Sequence, residues 1–222
     1  ALIVVGVKVI YPAIMSAFFT REFPITSAEI AGYNGKVRLI STEGSTLFVG
    51  RLEDGRINSQ GDLYDLCGNL VYHGDFLEEQ YSGRGELYYS DGTLCYEGGF
   101  EENLYQGTGS LYYRSGVLRY QGEFASGLFE GQGTLYDQEG RVAYEGEFLA
   151  GLYSGQGTLY QNGILAYQGE FLEGKREGQG VEYNADGTER FSGVFQSDVL
   201  VTGRGGSDTY PSGAIRYVGD RV

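Results

Sequence analysis

A short segment recurs along most of this chain at a nearly constant interval. It begins Tyr-x-Gly-x-Phe and continues, after a short loop, as Gly-x-Gly-x-Leu-Tyr, as in residues 144–148 and 155–160. A period of this size indicates an array of similar structural units. The first residues of successive copies lie 24, 24, 24, 24, 23, 24 and 26 positions apart; they are Phe48, Tyr72, Tyr96, Tyr120, Tyr144, Tyr167, Phe191 and Tyr217.

The residues within one copy predict two β-strands. Tyr96 and Phe100 fall on the same face of an extended segment, because side chains alternate between the two faces of a strand. Each segment is too short for a helix, and tyrosine and phenylalanine favour strands. Asp91-Gly92 lies between two such runs, and Asp-Gly is a strong hairpin signal. The chain is therefore predicted to be an antiparallel meander with one hairpin per repeat.

Glycines inside the strands admit two interpretations. Gly98 lies between two aromatic residues on their own face, so the missing side chain leaves room for the ring of the next repeat. Gly-x-Gly segments such as 107–109 also resemble phosphate-binding loops. Such a loop requires a helix N-terminus behind it and usually a lysine, which this pattern does not supply. The steric interpretation is therefore favoured.

Tyr-x-Gly-x-Phe followed by Gly-x-Gly-x-Leu-Tyr resembles the MORN repeat (membrane occupation and recognition nexus), over roughly residues 33 to 222. The resemblance implies an all-β fold: an elongated, single-layer antiparallel meander of stacked β-hairpins. Members of this family act mostly as scaffolds or interaction modules, and some were proposed to bind acidic phospholipids through basic loops. The resemblance therefore implies a non-enzymatic role.

One loop position departs from the family pattern. The family loop is typically Gly-Lys-x-x-Gly, and residues 174–178 follow it. In the four preceding repeats a leucine or glutamine and an aromatic residue stand where the basic residue is expected. This departure argues against phospholipid binding through basic loops.

Residues 1–19 have a different character from the repeats. They are almost entirely apolar and carry one charge, Lys8. As a helix they would be about 28 Å long, close to the thickness of a bilayer core. We expect one apolar transmembrane or membrane-embedded helix here, although Pro12 would kink it. A signal peptide and a buried core helix are the alternatives.

This assignment divides the chain into three parts. Residues 1–19 are the membrane segment, 20–32 a connector in which Thr26 or Ser27 caps a brief helical turn, and 33–222 the MORN-repeat sheet domain. The protein is then expected to be membrane-associated, with a single pass. Basic residues after the segment favour a cytoplasmic sheet, but the side is left open because the upstream flank is unknown.

The net charge of the chain is −14, which disfavours a nucleic-acid partner. Residues 1–47 carry a net charge of +1, so the remainder carries −15. The acidic residues recur at one position of the repeat, at Asp75, Glu123, Glu147 and Glu170. One interpretation is a solvated face that keeps the sheet soluble. The alternative is a docking face for a basic or cationic ligand, including Ca²⁺.

Nothing in the sequence indicates catalysis. The chain has one histidine, His73, and its acidic residues recur at the repeat interval instead of converging on one place. Cys67 and Cys95 fall at different phases of the repeat and form no metal-binding spacing. The glycine- and aspartate-rich nonapeptide of calcium-binding β-solenoids is missing. We therefore predict no catalytic residue, no metal site and no cofactor.

The sequence favours a membrane-attached scaffold that presents its sheet to a protein partner, and we expect this partner to be a subunit of a membrane complex. Membrane-surface recognition is an alternative. The last strand, near Tyr217, has no predicted cap, so a homo-oligomer could form by strand pairing there.

The predicted binding surface is a row of apolar residues in the repeat loops. Equal phase in stacked hairpins would place these side chains along one edge of the sheet. The same rings could instead fold back over their own strands and close the open face. The predicted partner-binding residues are Tyr81, Tyr105, Leu128, Phe129, Leu152 and Tyr153.

Overall fold

A computed structural model describes residues 20–205 of the chain. They contain sixteen strands, and each strand is hydrogen-bonded to its neighbours in chain order. The strands are β1 (Arg21–Pro24), β2 (Gly35–Ile40), β3 (Thr46–Glu53), β4 (Arg56–Tyr64), β5 (Leu70–Leu77), β6 (Gln80–Tyr88), β7 (Leu94–Glu101), β8 (Leu104–Tyr112), β9 (Leu118–Ala125), β10 (Leu128–Tyr136), β11 (Val142–Leu149), β12 (Leu152–Gln161), β13 (Ile164–Leu172), β14 (Lys175–Tyr183), β15 (Glu189–Gln196) and β16 (Val199–Gly205).

The described residues fall into two compact units that divide within β8, after residue 106. In the first unit β1 lies parallel to β2, and antiparallel pairing continues from β2 to β7. In the second unit antiparallel pairing runs from β8 to β16. The predicted antiparallel meander of hairpins is confirmed.

A two-residue turn joins the two strands of each repeat. Both turn residues have positive φ, as in Glu78 (51°) with Glu79 (67°) and Ala150 (49°) with Gly151 (83°). Two positive values define the type I′ turn, whose twist matches that of antiparallel strands. Seven hairpins within repeats have such a turn between β3 and β16, because the pairs 54–55, 102–103, 126–127, 173–174 and 197–198 share this conformation.

The connections between repeats are mostly longer. In residues 137–141 the Asp137 carboxylate accepts the backbone N–H of Glu139 and of Arg141, which closes the loop as an Asx turn. The connection between β12 and β13 is instead a two-residue turn, Asn162-Gly163, with φ of 53° and 76°. This shorter turn explains why Tyr144 and Tyr167 are 23 residues apart and not 24.

The core of each repeat is a tyrosine that lies flat over two cross-strand glycines. Tyr144 is fully buried, and a Cβ added to Gly157 would lie 2.2 Å from its hydroxyl oxygen. Its hydroxyl donates to the carbonyl of Glu147 at 3.0 Å. The steric interpretation of the glycines holds, but the ring belongs to the same repeat and not to the next one. The equivalent buried tyrosines are Tyr72, Tyr96, Tyr120 and Tyr167.

The segment before the repeats contributes to the sheet. Residues 20–32 contain β1, which pairs with β2, and the short 3₁₀ helix Ala28–Ile30. The Ser27 hydroxyl accepts the Glu29 N–H at 3.2 Å, as expected of a capping residue. The Phe23 ring meets Tyr33 edge-on at 5.0 Å. The sheet thus begins twelve residues before Tyr33, at Arg21.

Two predictions fall outside the described residues: the apolar helix of residues 1–19 and the C-terminal strand near Tyr217. Within residues 20–205 the only helix is the 3₁₀ turn, and it is too short to cross a membrane.

Candidate functional site

A second ring in each repeat stacks on the buried tyrosine. The ring centres of Tyr81 and Tyr72 are 3.9 Å apart, with an interplanar angle of 8°. Tyr153 lies 3.8 Å from Tyr144, with an angle of 9°. We call these second rings the outer rings; they are Tyr81 and Tyr105 in the first unit, and Phe129 and Tyr153 in the second.

The outer rings also connect successive repeats. Tyr153 meets Phe148 of its own repeat edge-on at 5.6 Å and Phe171 of the next repeat at 5.7 Å. Such pairs contribute about 0.5–1.5 kcal/mol each beyond the area that they bury. The outer rings are consequently half-buried, and they close the open face of the sheet as the alternative interpretation described.

Burial of the rings shifts the pKa of their hydroxyls. Loss of solvent raises the pKa of Tyr96 and Tyr120 to about 12. Burial also raises the pKa of the outer rings Tyr81 and Tyr153 above the ordinary tyrosine value. These hydroxyls are therefore held neutral at physiological pH, and none is activated as a nucleophile or base.

The outer rings lie in strands and not in loops. Tyr81 is the second residue of β6, because the type I′ turn at 78–79 closes the hairpin two residues earlier. The strand continues past Gly83, whose φ of 58° marks a bulge. The prediction that these residues lie in loops was wrong. The first residues of the tight turns, such as Glu78 and Ala150, are not typical turn residues, so the strands were predicted to begin later than they do.

Arg176 replaces the aromatic ring in the one repeat with the family-typical basic loop. Its guanidinium lies 5.5 Å from the centre of the Tyr167 ring and 5.3 Å from that of Phe195. It also forms ion pairs with Glu182 at 2.9 Å and with Asp198 at 3.2 Å. The charge is thus neutralised within the protein and is not presented to a lipid headgroup.

The leucines that precede the outer rings are exposed. Leu128 and Leu152 begin β10 and β12, and each is half-exposed, at 51% and 50%. Phe129 and Tyr153 contact the ring core, so the preceding leucines point to the opposite face of the sheet. The six predicted binding residues therefore do not form one row: in each unit the outer rings stack on the buried tyrosines, and in the second unit the two leucines lie on the face opposite to the rings.

Other exposed leucines lie on the same tight turns. Leu149 pairs with Leu152 across the turn between β11 and β12. Leu172 ends β13, and both side chains are more than half-exposed. We call Leu128, Leu149, Leu152 and Leu172 the leucine strip. Leu149 and Leu172 were not among the predicted binding residues, although Phe-Leu recurs at 148–149 and 171–172.

The recurring acidic residues accept hydrogen bonds from the backbone. Glu147 accepts the backbone N–H of Gln156 at 3.2 Å, and Glu170 accepts that of Gln179 at 2.9 Å. Each of these N–H groups follows a glycine with positive φ, Gly155 or Gly178, where the regular pairing of strands is interrupted. Asp75 and Glu123 make the same bond to Arg84 and Gln132. These carboxylates therefore do more than solvate a face.

The remaining candidates for chemistry do not converge on one site. His73 Nδ1 lies 2.5 Å from Asp62 Oδ1 at a half-exposed position. Across residues 20–205, no group of three histidine, cysteine or carboxylate side chains could hold a metal ion. Cys67 and Cys95 are both free thiols.

Comparison with known families identifies the repeat. The profile of the MORN repeat matches five consecutive segments, residues 72–94, 96–117, 120–140, 144–164 and 167–189. The chain is a MORN-repeat protein. MORN repeats are non-catalytic modules that mediate interactions with proteins and membranes. No curated protein matches the chain.

The five matched MORN segments begin at the five buried tyrosines, Tyr72 to Tyr167. The strands on either side continue the same architecture with different residues. In β3, Phe48 replaces the tyrosine and lies over Gly50 and Gly61. The hairpin geometry therefore extends beyond the segments that the family profile matches.

Proposed function

We propose that this MORN-repeat protein is a non-enzymatic scaffold, attached to a membrane through residues 1–19, which presents its sheet to a protein partner. The leucine strip carries the proposal. Four leucines lie on three consecutive tight turns of the second unit, and each is at least half-exposed. Exposed apolar groups that lie together commonly mark an interaction surface.

The leucine strip is a better candidate for the partner-binding surface than the outer rings are. Each outer ring is stacked between aromatic neighbours and contributes to the closure of the sheet. The leucines, by contrast, occupy turn ends where no buried core surrounds them. Removing the leucines should therefore affect binding more than folding, whereas removing the rings should affect folding first.

Calcium or another cation on the acidic face is a weaker candidate. Glu123, Glu147 and Glu170 each hold one backbone N–H, and they recur once per repeat instead of gathering around a centre. Ca²⁺ takes six to eight oxygen ligands at one position. Membrane-surface recognition by basic loops is disfavoured by the internal pairing of Arg176.

A photo-crosslinking experiment tests the proposed function. A photoreactive phenylalanine analogue is placed at Leu152 of the full chain in native membranes, and at Glu139, on the opposite edge of the second unit, as the control. We expect one protein to be crosslinked from position 152 and not from position 139. The proposal is wrong if position 152 crosslinks only to lipid, or to the same proteins as position 139.

A further inference from the structure

The leucine strip runs beside a row of carboxylates on the same face. In β11, Phe148 packs into the ring core, so its neighbours Glu147 and Leu149 both point to the opposite face. The same alternation places Glu123 with Ala125 in β9 and Glu170 with Leu172 in β13. We call Glu123, Glu147 and Glu170 the acidic row. Each of its members is two residues from the turn end of its strand.

The strip is continuous from one turn to the next. Leu128 lies beside Gly151 of the following turn, and Leu152 lies beside Gly174 of the turn after that. Leu149 and Leu152 face each other across their own turn. The second unit therefore presents an apolar band with a parallel acidic band next to it.

The acidic row retains capacity to bind a cation. In Glu123, Glu147 and Glu170 the backbone hydrogen bond uses Oε1, and within residues 20–205 none of the three forms an ion pair with a basic side chain. A carboxylate can accept several hydrogen bonds at its two oxygens. In β14, Arg176 is paired with Glu182 and Asp198, and the exposed Lys175 lies in register with Leu172 of the strip.

We propose, on the basis of the scaffold function above, that this face binds an amphipathic helix of a partner protein with basic residues beside an apolar stripe. Charge complementarity selects a basic partner, since the acidic row would repel an acidic segment or an anionic lipid surface. A second copy of this chain is also disfavoured, because its net charge is −14.

The spacing of the row matches a helix. Successive members lie two strands apart, which is about 9.5 Å. Seven residues of an α-helix span about 10.5 Å, so basic residues in a heptad pattern would follow the row. A helix presents two adjacent parallel stripes, whereas an extended segment places neighbouring side chains on opposite sides. The apolar stripe would lie against the leucine strip.

The test measures binding of a synthetic helix about three heptads long, with leucine in one stripe and lysine in the adjacent stripe. The purified full chain is titrated by fluorescence anisotropy, and a helix with glutamate in place of lysine is the control probe. We expect the lysine probe to bind, with an affinity that falls as salt is raised. Equal binding of the two probes would overturn the proposal.

Two pairs of variants locate the binding site. E147Q/E170Q removes two charges but retains an oxygen that accepts the backbone N–H, and E139Q/E189Q removes two charges elsewhere in the second unit. We expect the first pair to weaken binding of the lysine probe about fivefold, because two exposed ion pairs are lost, and the second pair to leave binding unchanged. Equal effects of the two charge variants would overturn the proposal.

A double variant of the leucine strip, Leu149→Ser with Leu152→Ser, should weaken binding of the lysine probe roughly tenfold or more at an unchanged melting temperature.

Failure of this inference can be distinguished from failure of the proposed function. If position 152 crosslinks to a protein in native membranes but E147Q/E170Q crosslinks equally well, the scaffold function stands and the basic-helix partner is wrong. If vesicles of anionic lipid bind the full chain through the leucines while the lysine probe does not, the face is a membrane surface and the inference is also wrong.

Discussion

At the scale of single residues, each repeat depends on the close approach of one tyrosine to two glycines. The Tyr144 ring occupies the space where the Cβ atoms of Gly146 and Gly157 would lie. A Cβ at Gly157 would lie only 2.2–2.6 Å from atoms of the Tyr144 side chain. Glycine is therefore required here by the lack of space and not by the backbone conformation.

We therefore expect Gly157→Ala to destabilise the protein by about 1–3 kcal/mol, the usual cost of forcing extra volume into a packed core. Thr158→Ala, at the next residue on the opposite face, is the control and should change stability little. Urea unfolding measures both. A loss no greater for Gly157→Ala than for Thr158→Ala would contradict the packing argument.

The buried tyrosines also predict alkaline unfolding. The folded pKa of Tyr96, Tyr120 and Tyr167 is raised to about 12, because burial disfavours the phenolate. Below the unfolded pKa of about 10 both states are protonated, and stability is complete. Between about pH 10 and 12 the unfolded state loses protons first, so the free energy of unfolding falls by about 1.4 kcal/mol per tyrosine per pH unit.

Unfolding midpoints measured at successive pH values check this prediction, with tyrosinate absorbance followed in parallel. Tyrosinate should appear together with unfolding and not before it. Gradual ionisation of these tyrosines in a chain that stays folded at pH 11 would contradict it.

At the scale of the hairpin, the type I′ turn between β5 and β6 is built from two residues that seldom adopt it. Glu78 and Glu79 both have positive φ, a conformation that costs a non-glycine residue roughly 1–2 kcal/mol. The equivalent turn at Glu173-Gly174 has glycine at its second position. Tertiary pairing of the flanking strands, not the turn residues, must therefore fix the turn at Glu78-Glu79.

Glu79→Gly should stabilise the protein by about 1 kcal/mol, because it removes the cost of positive φ at this turn. Glu101→Gly removes the same charge from an exposed strand position, where glycine weakens the strand. We expect the two substitutions to change the melting temperature in opposite directions. A lower melting temperature for both variants would contradict a cost of positive φ at Glu79.

The strands could be predicted from the sequence more fully than the tight turns that join them. Alternation and recurring aromatics were sufficient for the strands and for the meander. The tight turn at Glu78-Glu79 was not predictable, because two glutamates carry no turn signal, whereas the equivalent Asp54-Gly55 has the residues that this turn type prefers. The acidic row looked like a solvated face, since bonds such as Glu147 to the Gln156 N–H depend on a bulge.

Arg176 gives a second prediction at this scale. It fills the place of an outer ring by lying over Tyr167 and Phe195 and pairing with two carboxylates. Arg176→Ala should lower the free energy of unfolding by about 1–2 kcal/mol, from two cation–π contacts at roughly 0.5–1 kcal/mol each. Lys175→Ala, in the adjacent exposed position, should lower it by far less in the same denaturation experiment.

At the scale of the whole molecule, the chain combines an acidic repeat array with an apolar segment at residues 1–19. A scaffold that works beside a membrane needs a stable attachment, and nineteen mostly apolar residues approach the length that an α-helix needs to span a bilayer. The acidic array itself would be repelled by the anionic surface of a membrane.

We expect the full chain to remain in the membrane fraction after alkaline carbonate washing, which removes proteins held only by surface charge. Replacing three apolar residues within the segment, Val4, Val5 and Ile14, by aspartate should release the protein, because a charge at the centre of a bilayer costs about 2.5–3.5 kcal/mol per residue. Replacing Glu139, Glu145 and Glu189 by lysine alters charge in the array and should leave the protein in the membrane fraction. If the unaltered chain is washed off, residues 1–19 must be held by the protein itself or by a partner.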